Sequence, residues 1–181
     1  SSFEPEVRKI LQPERDEVVM DVGAHIGTYT IRLARHAKLV VAVEPHPSNF
    51  EVLKINTKLN GLKNILALNV GLASRNHTMY LESKSEYGWT RLRETGKNPV
   101  EVYSLDNLLE KLGVDKVDWI KIDSEGMELD ILHGASRALA AHNPRLVIEI
   151  HRDREAILKL LDEKGFRVKA LNTNHVFAFK D

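Results

Sequence analysis

The apolar residues of this chain fall into short continuous runs separated by segments of helical spacing. Glu17 to Val22 (EVVMDV) is a brief apolar run that ends in Asp and then Gly, which suits a strand buried on both faces better than an amphipathic one. Ile26 to Ala37 follows with the spacing of a helix. Leu39 to Val43 (LVVAV) is a second buried strand, stopped by Glu44-Pro45, and Ser48 is placed to cap a helix that runs to about Asn60. Ile65 to Leu72 reads as a third strand. Thr78 to Leu81 and Val100 to Tyr103 are short extended pieces around a polar stretch, Glu82 to Asn98, whose lack of apolar periodicity predicts a loop.

The alternation then resumes. Leu105 to Leu112 is a short helix closed by Gly113, Val117 to Ile122 is a fourth strand, and Gly126 to Ala141 has helical spacing. Leu146 to Ile150 is a fifth strand, followed by a helix from Arg154 to Lys164 that Gly165 ends. Phe166 to Leu171 and His175 to Phe179 are both strand-like with only Asn172-Thr173-Asn174 between them, which is a hairpin. This order predicts an α/β fold, a doubly wound, mostly parallel sheet finished by a C-terminal antiparallel hairpin.

Composition bounds the partners rather than the chemistry. With 181 residues, 43% of them hydrophobic, a single domain over 1–181 is expected, able to bury a real core. Lysine plus arginine number 26 and aspartate plus glutamate 26, so net charge supplies no long-range attraction, and neither a nucleic acid nor a membrane partner is expected. The chain has no cysteine, which removes disulfides, thiolate metal sites and cysteine nucleophiles together. No apolar run approaches the ~20 residues of a spanning helix, and Ser1 to Gln12 is too charged for a secretory signal. A cytoplasmic location is the expectation.

The strongest chemical signal is the turn Asp21-Val22-Gly23-Ala24-His25-Ile26-Gly27, between the first strand and the first helix. Glycine there lets the backbone approach a ligand, and the helix start offers free amides. Glu44 ends the second strand about twenty residues beyond, where an acidic side chain can accept both hydroxyls of a ribose. A dinucleotide fold would show G-x-G-x-x-G, yet His25 stands at the middle position; the G-x-x-x-G spacing favours a nucleoside without phosphates.

At the end of the fourth strand, Asp123 and Glu125 sit where a reacting group could be held, and a positioned carboxylate can take a proton from a hydroxyl nucleophile. Lys121 and Asp123 share one face of that strand, as Glu149 and His151 share one face of the fifth, so the four can converge. Two other readings stay open: Lys121 paired with Glu149 as buried structural charge, and carboxylates at adjacent strand ends holding Mg²⁺. Tyr87, Trp89, Arg91 and Arg93 crowd the polar stretch, where aromatics can stack on sugar rings and arginines can bind carboxylates. His36, His77, His133, His142 and His175 read as surface or helix histidines without a role.

The segments VVMDVGAHIGTYT, VVAVEPHP, VYSLDNLL, VDWIKIDSEGMELDILHGA and PRLVIEIH, in that order, resemble the successive signatures of FkbM-type methyltransferases. The I-K-I-D-x-E-G-x-E block followed by I-L-x-G-A is the most specific part of the match, with Ser124 standing where that family more often has an apolar residue. The resemblance implies S-adenosylmethionine (SAM) as cofactor and O-methylation of a small molecule or sugar; no metal is expected, because no second clear ligand pair is visible. It implies that Asp21, Gly23, His25 and Gly27 shape the methionine end of the pocket, that Glu44 holds the ribose, and that adenine lies near Asn69 to Leu72, Gly71 included, with Ala24 and Pro45 also in the cofactor site. Lys121, Asp123 and Glu125 would then be catalytic, with Trp89, Arg91, Glu149 and His151 around the acceptor. Rival readings are a SAM-binding module without catalysis and a nucleotide-linked oxidoreductase.

Overall fold

A computed structural model describes residues 4–83 and 90–181. In chain order the elements are α1 (Pro5–Ile10), β1 (Val18–Val22), α2 (Thr28–Ala34), β2 (Leu39–Val43), α3 (Pro47–Leu59), β3 (Ile65–Leu68), β4 (Gly71–Leu72), β5 (His77–Ser83) and β6 (Thr90–Arg93). They continue with β7 (Pro99–Tyr103), α4 (Leu105–Leu112), β8 (Trp119–Ile122), α5 (Glu128–Gly134), α6 (Ser136–Ala141), β9 (Arg145–Glu149), α7 (Arg154–Glu163), β10 (Arg167–Ala170) and β11 (His175–Phe179).

The uninterrupted apolar runs form the middle of a seven-stranded sheet, ordered β10-β11-β9-β8-β1-β2-β3. Its strands pair in parallel except β11, which runs antiparallel to both β9 and β10. The predicted α/β sheet and its closing hairpin are therefore present. From β1 the chain winds outward through β2 and β3, then returns to β8 on the other side of β1. The carboxyl ends of β1 and β8 thus form the switch point where open α/β sheets bind ligands.

Alternation along each strand divides the core. Met20, Val22, Ile120, Ile122, Leu146 and Ile148 pack on one face with Leu105, Ile131, Leu132 and Ile157 from the later helices. Val19, Trp119 and Val147 face the other way, against Val7 of α1, Leu11 just after it and Leu33 of α2. Asp21 and Lys121 continue that second face towards the carboxyl edge.

Three expectations change. The third strand is two: β3 stays in the main sheet, whereas β4 crosses into a second sheet ordered β4-β7-β5-β6. The polar stretch is not loop throughout, because Thr90–Arg93 pairs with β5 as an antiparallel strand. Its T-R-L-R alternation is too short to register as periodicity. The helix over 126–141 breaks at Ala135, because Gly134 presses on the chain after β4: a Cβ on it would come within 2.2 Å of the Ala73 carbonyl oxygen.

Candidate active site

A cavity of about 430 Å³ opens at the carboxyl edge of the main sheet, lined by the β1–α2 turn, the ends of β2 and β8, and parts of β4, β6 and α5. That volume lies within the usual range for small-molecule sites, roughly 300–1,000 Å³. Its floor depends on Gly23. With φ at 77°, Gly23 adopts a left-handed conformation, and a Cβ there would stand 1.7 Å from the Asp123 carbonyl oxygen. The turn after β1 therefore lies directly on the end of β8.

Glu44 is buried at the cavity wall, and both carboxylate oxygens are engaged: Oε2 accepts the His25 amide at 2.9 Å and Oε1 the His46 amide at 2.8 Å. Burial pushes its carboxyl above the usual glutamate range, with those amide bonds pulling partly back. A carboxylate oxygen can accept more than one hydrogen bond. Glu44 therefore both fixes the glycine turn and keeps acceptor capacity for a ligand hydroxyl.

Lys121 lies at the bottom, on the second face of β8. Its Nζ is 3.7 Å from Asp21 Oδ1, 3.4 Å from Asp123 Oδ2 and 4.9 Å from the centroid of the Tyr29 ring. Burial works against its charge, but Asp123, Asp21 and Glu4 outweigh that and leave the ammonium above its ordinary pKa. Asp21 is fully buried, with Oδ2 accepting the Thr30 hydroxyl at 2.6 Å. The alternative partner for Lys121 read from the strand faces, Glu149, is replaced by these two aspartates.

Beyond β8 the chain turns through Glu125, at φ 53°, into α5, and Glu128 organises that turn. Its Oε1 receives the Ser124 hydroxyl at 2.9 Å, the Gly126 amide at 2.8 Å and His151 Nδ1 at 3.2 Å. Burial opposes ionisation of Glu128, but the hydrogen bonds from His151, Gly126 and Ser124 more than compensate and lower its pKa. The Glu128 hydrogen bond raises His151 to about 9, so its ring is protonated at neutral pH. The other ring nitrogen faces Glu125 at 3.5 Å and Glu149 at 3.9 Å. Glu149, pushed up to about 7 by burial and then by the charge on Asp123, also meets His175 Nε2 at 3.5 Å.

Of the residues picked from sequence, Asp21, Gly23, Ala24, His25, Glu44, Pro45, Gly71, Lys121, Asp123 and Glu125 line the cavity. Gly27 does not; it begins α2 and lies against Leu53 of α3. Asn69 stands behind the wall, its amide donating to the Glu44 and Pro45 carbonyls at 2.8 and 3.1 Å. Glu149 and His151 do not line the cavity; a His151 ring nitrogen lies within 4.8 Å of Asp123 and Glu125, with Glu149 beyond it at 3.9 Å. Arg91 falls on the opposite side of β6 from Leu92, the cavity-lining residue, and Trp89 and Tyr87 lie outside the described residues.

Sequence reasoning passed over Glu128, Leu92, Tyr29 and Glu4. It also misjudged His175, which is buried at the start of β11 with its ring 3.7 Å from Glu4, itself hydrogen-bonded to the Tyr29 hydroxyl at 2.6 Å. The E-G-x-E spacing did hold a signal for Glu128, since an acid early in a helix can reach back to preceding amides. Among the described residues, donor atoms converge within 4.8 Å in two groups, Asp123-Glu125-His151 and Glu4-Glu149-His175. In each an imidazole faces the carboxylates.

A glycine turn at the switch point, an acid at the end of the next strand, and a closing antiparallel hairpin define a Rossmann-like methyltransferase. Residues 21–168 match the family model described as the Methyltransferase FkbM domain, and the chain belongs to that family. The hexuronic acid methyltransferase AglP of Haloferax volcanii is 32% identical over 173 residues, covering 93% of this chain and 71% of AglP. The crystal structure of Methyltransferase FkbM from Methylobacillus flagellatus superposes with a TM-score of 0.68 at 21% identity, covering 94% of this chain and 45% of that one. A Streptococcus mutans protein solved in complex with SAH, the demethylated product of SAM, gives a TM-score of 0.61 at 13% identity, covering 98% of this chain and 95% of that one. SAM is accordingly the methyl donor. More distant relatives, at 25% and 27% identity, carry names of RNA methyltransferases.

Proposed function

We propose that this protein methylates an oxygen of a sugar acceptor, with SAM in the cavity and the acceptor above Asp123. The observation that carries this reading is the continuity of the cavity from the glycine turn and Glu44 to the Lys121–Asp123 pair. The residues suit the donor: an apolar compartment for a purine, a buried carboxylate for ribose hydroxyls, and a turn opened by Gly23 where the methionine end would lie.

SAM when bound supplies a methyl group activated by its sulfonium charge. The protein's part is alignment and proton handling. Asp123, held from below by Lys121, receives the hydrogen bond of the acceptor hydroxyl and takes its proton. Glu125, Glu149 and His151 form the rim against which the sugar orients. The uronic acid named for the 32% identical relative makes the ring hydroxyls of a uronic acid glycoside the first acceptors to try.

Calorimetry with SAM and SAH tests the donor site. Transfer of radiolabelled methyl to uronic acid glycosides, neutral glycosides and transfer RNA tests the acceptor. Incorporation into a glycoside supports the reading, incorporation into RNA alone overturns the sugar assignment, and binding without transfer to any of them leaves a SAM-binding module.

A further inference from the structure

The second sheet stands outside the strand-helix alternation, and the reading above gives its far strand β6 no task. Strand β4 follows β3 after only two residues, at the carboxyl edge, and sets Leu72 into the cavity wall. Strand β6 is the far edge of the same sheet, yet a Cβ on Gly71 of β4 would stand 2.8 Å from Leu92 Cδ1 of β6. The sheet therefore curls until its outer strands meet, and Leu92 closes over the cavity they border.

The cavity is divided in character. Asp21, Glu44, Lys121 and Asp123 lie on one side, whereas Val43, Leu72, Leu92, Met127 and Ile131 make the other side apolar. Glu44 stands at the boundary. A ligand with its ribose on Glu44 and its amino acid on the glycine turn has only its purine left to place, and the apolar side suits that flat ring. We propose that Leu92 covers the purine of the bound cofactor, which makes the second sheet a wall of the cofactor site; this rests on the SAM reading given above.

The test uses the full chain and two probes, SAH and 5′-methylthioadenosine, which keeps the purine and ribose but lacks the amino acid. Leu92→Ala is expected to weaken both by the same factor, about tenfold, through lost apolar contact. Leu92→Met, which restores the contact, is expected to stay within about threefold of wild type. Should the alanine variant fold poorly, Leu92→Gln carries the same expectation, because it keeps length while placing an amide on the ring. Weakened SAH with unchanged 5′-methylthioadenosine would assign Leu92 to the amino acid end and overturn the proposal. Unchanged affinity for both would overturn it while leaving the SAM reading intact. A wild-type protein that binds neither probe removes the SAM reading and this proposal together.

Discussion

Asp21 and Lys121 are register partners on the neighbouring strands β1 and β8, and their charged atoms lie 3.7 Å apart with side-chain exposures of 0% and 5%. An ion pair in the middle of two otherwise apolar strands is expensive to desolvate, and each charge is tolerated only with the other present. Lys121 also reaches Asp123, so the same ammonium ties the strand interior to the site above it.

Replacing Lys121 by Met should destabilise the fold by about 3–5 kcal/mol, because Asp21 is left buried and uncompensated. Adding Asp21→Asn should recover much of that loss. Urea denaturation of the two single variants and the double variant measures the coupling. A single-variant loss below about 1 kcal/mol would contradict a buried pair.

Glu44 holds the turn through the His25 and His46 amides and, in the proposed reading, the ribose as well; substitution separates the two. Glu44→Ala should weaken SAH binding by about 1.5–3 kcal/mol and also lower stability, since the amides of His25 and His46 lose their acceptor. Glu44→Gln keeps one acceptor oxygen and should lose less stability than affinity. Calorimetry beside thermal melting distinguishes them; stability lost with affinity intact would make Glu44 a turn-holder alone.

For Asp123→Asn, SAH affinity should hold while turnover falls by roughly 10²–10⁴, the range for removal of a general base. A carboxylate that serves only to anchor Lys121 would instead lower the melting temperature and spare the rate per folded molecule.

Stability should decline as pH rises through two windows. The Glu149 carboxyl has a folded pKa of about 7 against an ordinary 4.5, so it holds its proton more tightly when folded; its contribution is full below about 4.5 and lost through about 7. For His151 the shift from 6.5 to about 9 gives a contribution full below 6.5 and lost through about 9. Melting curves from pH 4 to 10 should lose the lower window in Glu149→Gln and the upper in His151→Gln. An unchanged lower window in Glu149→Gln would show that its carboxyl is not the titrating group.

The readable parts of the site were those marked by chain order alone. Asp21 to Gly27, Glu44 and Asp123 each follow an apolar run, where a parallel strand must end and a ligand crevice must open. What escaped depended on register between strands distant in sequence. Nothing local says that Asp21 stands beside Lys121, or that His175 reaches Glu149 by pairing β11 against β9. The second sheet escaped for a related reason: β4 has two residues and β6 four, too few for alternation to stand out. Glu128 was visible in spacing, but its fully buried side chain shows its importance only through the three donors it collects.

The carbonyl of Asp123 fills the space where Gly23 would otherwise carry a side chain. The glycine turn and the end of β8, donor and acceptor sides in the proposed reading, therefore meet main chain to main chain, with no rotamer between them to take up slack. The reach across which a methyl group must pass is thus fixed by the skeleton of the sheet. On that reading, changes around Glu149 or His151 can alter which molecule is received without lengthening that reach, and a lineage can explore new acceptors while its transfer distance stays put.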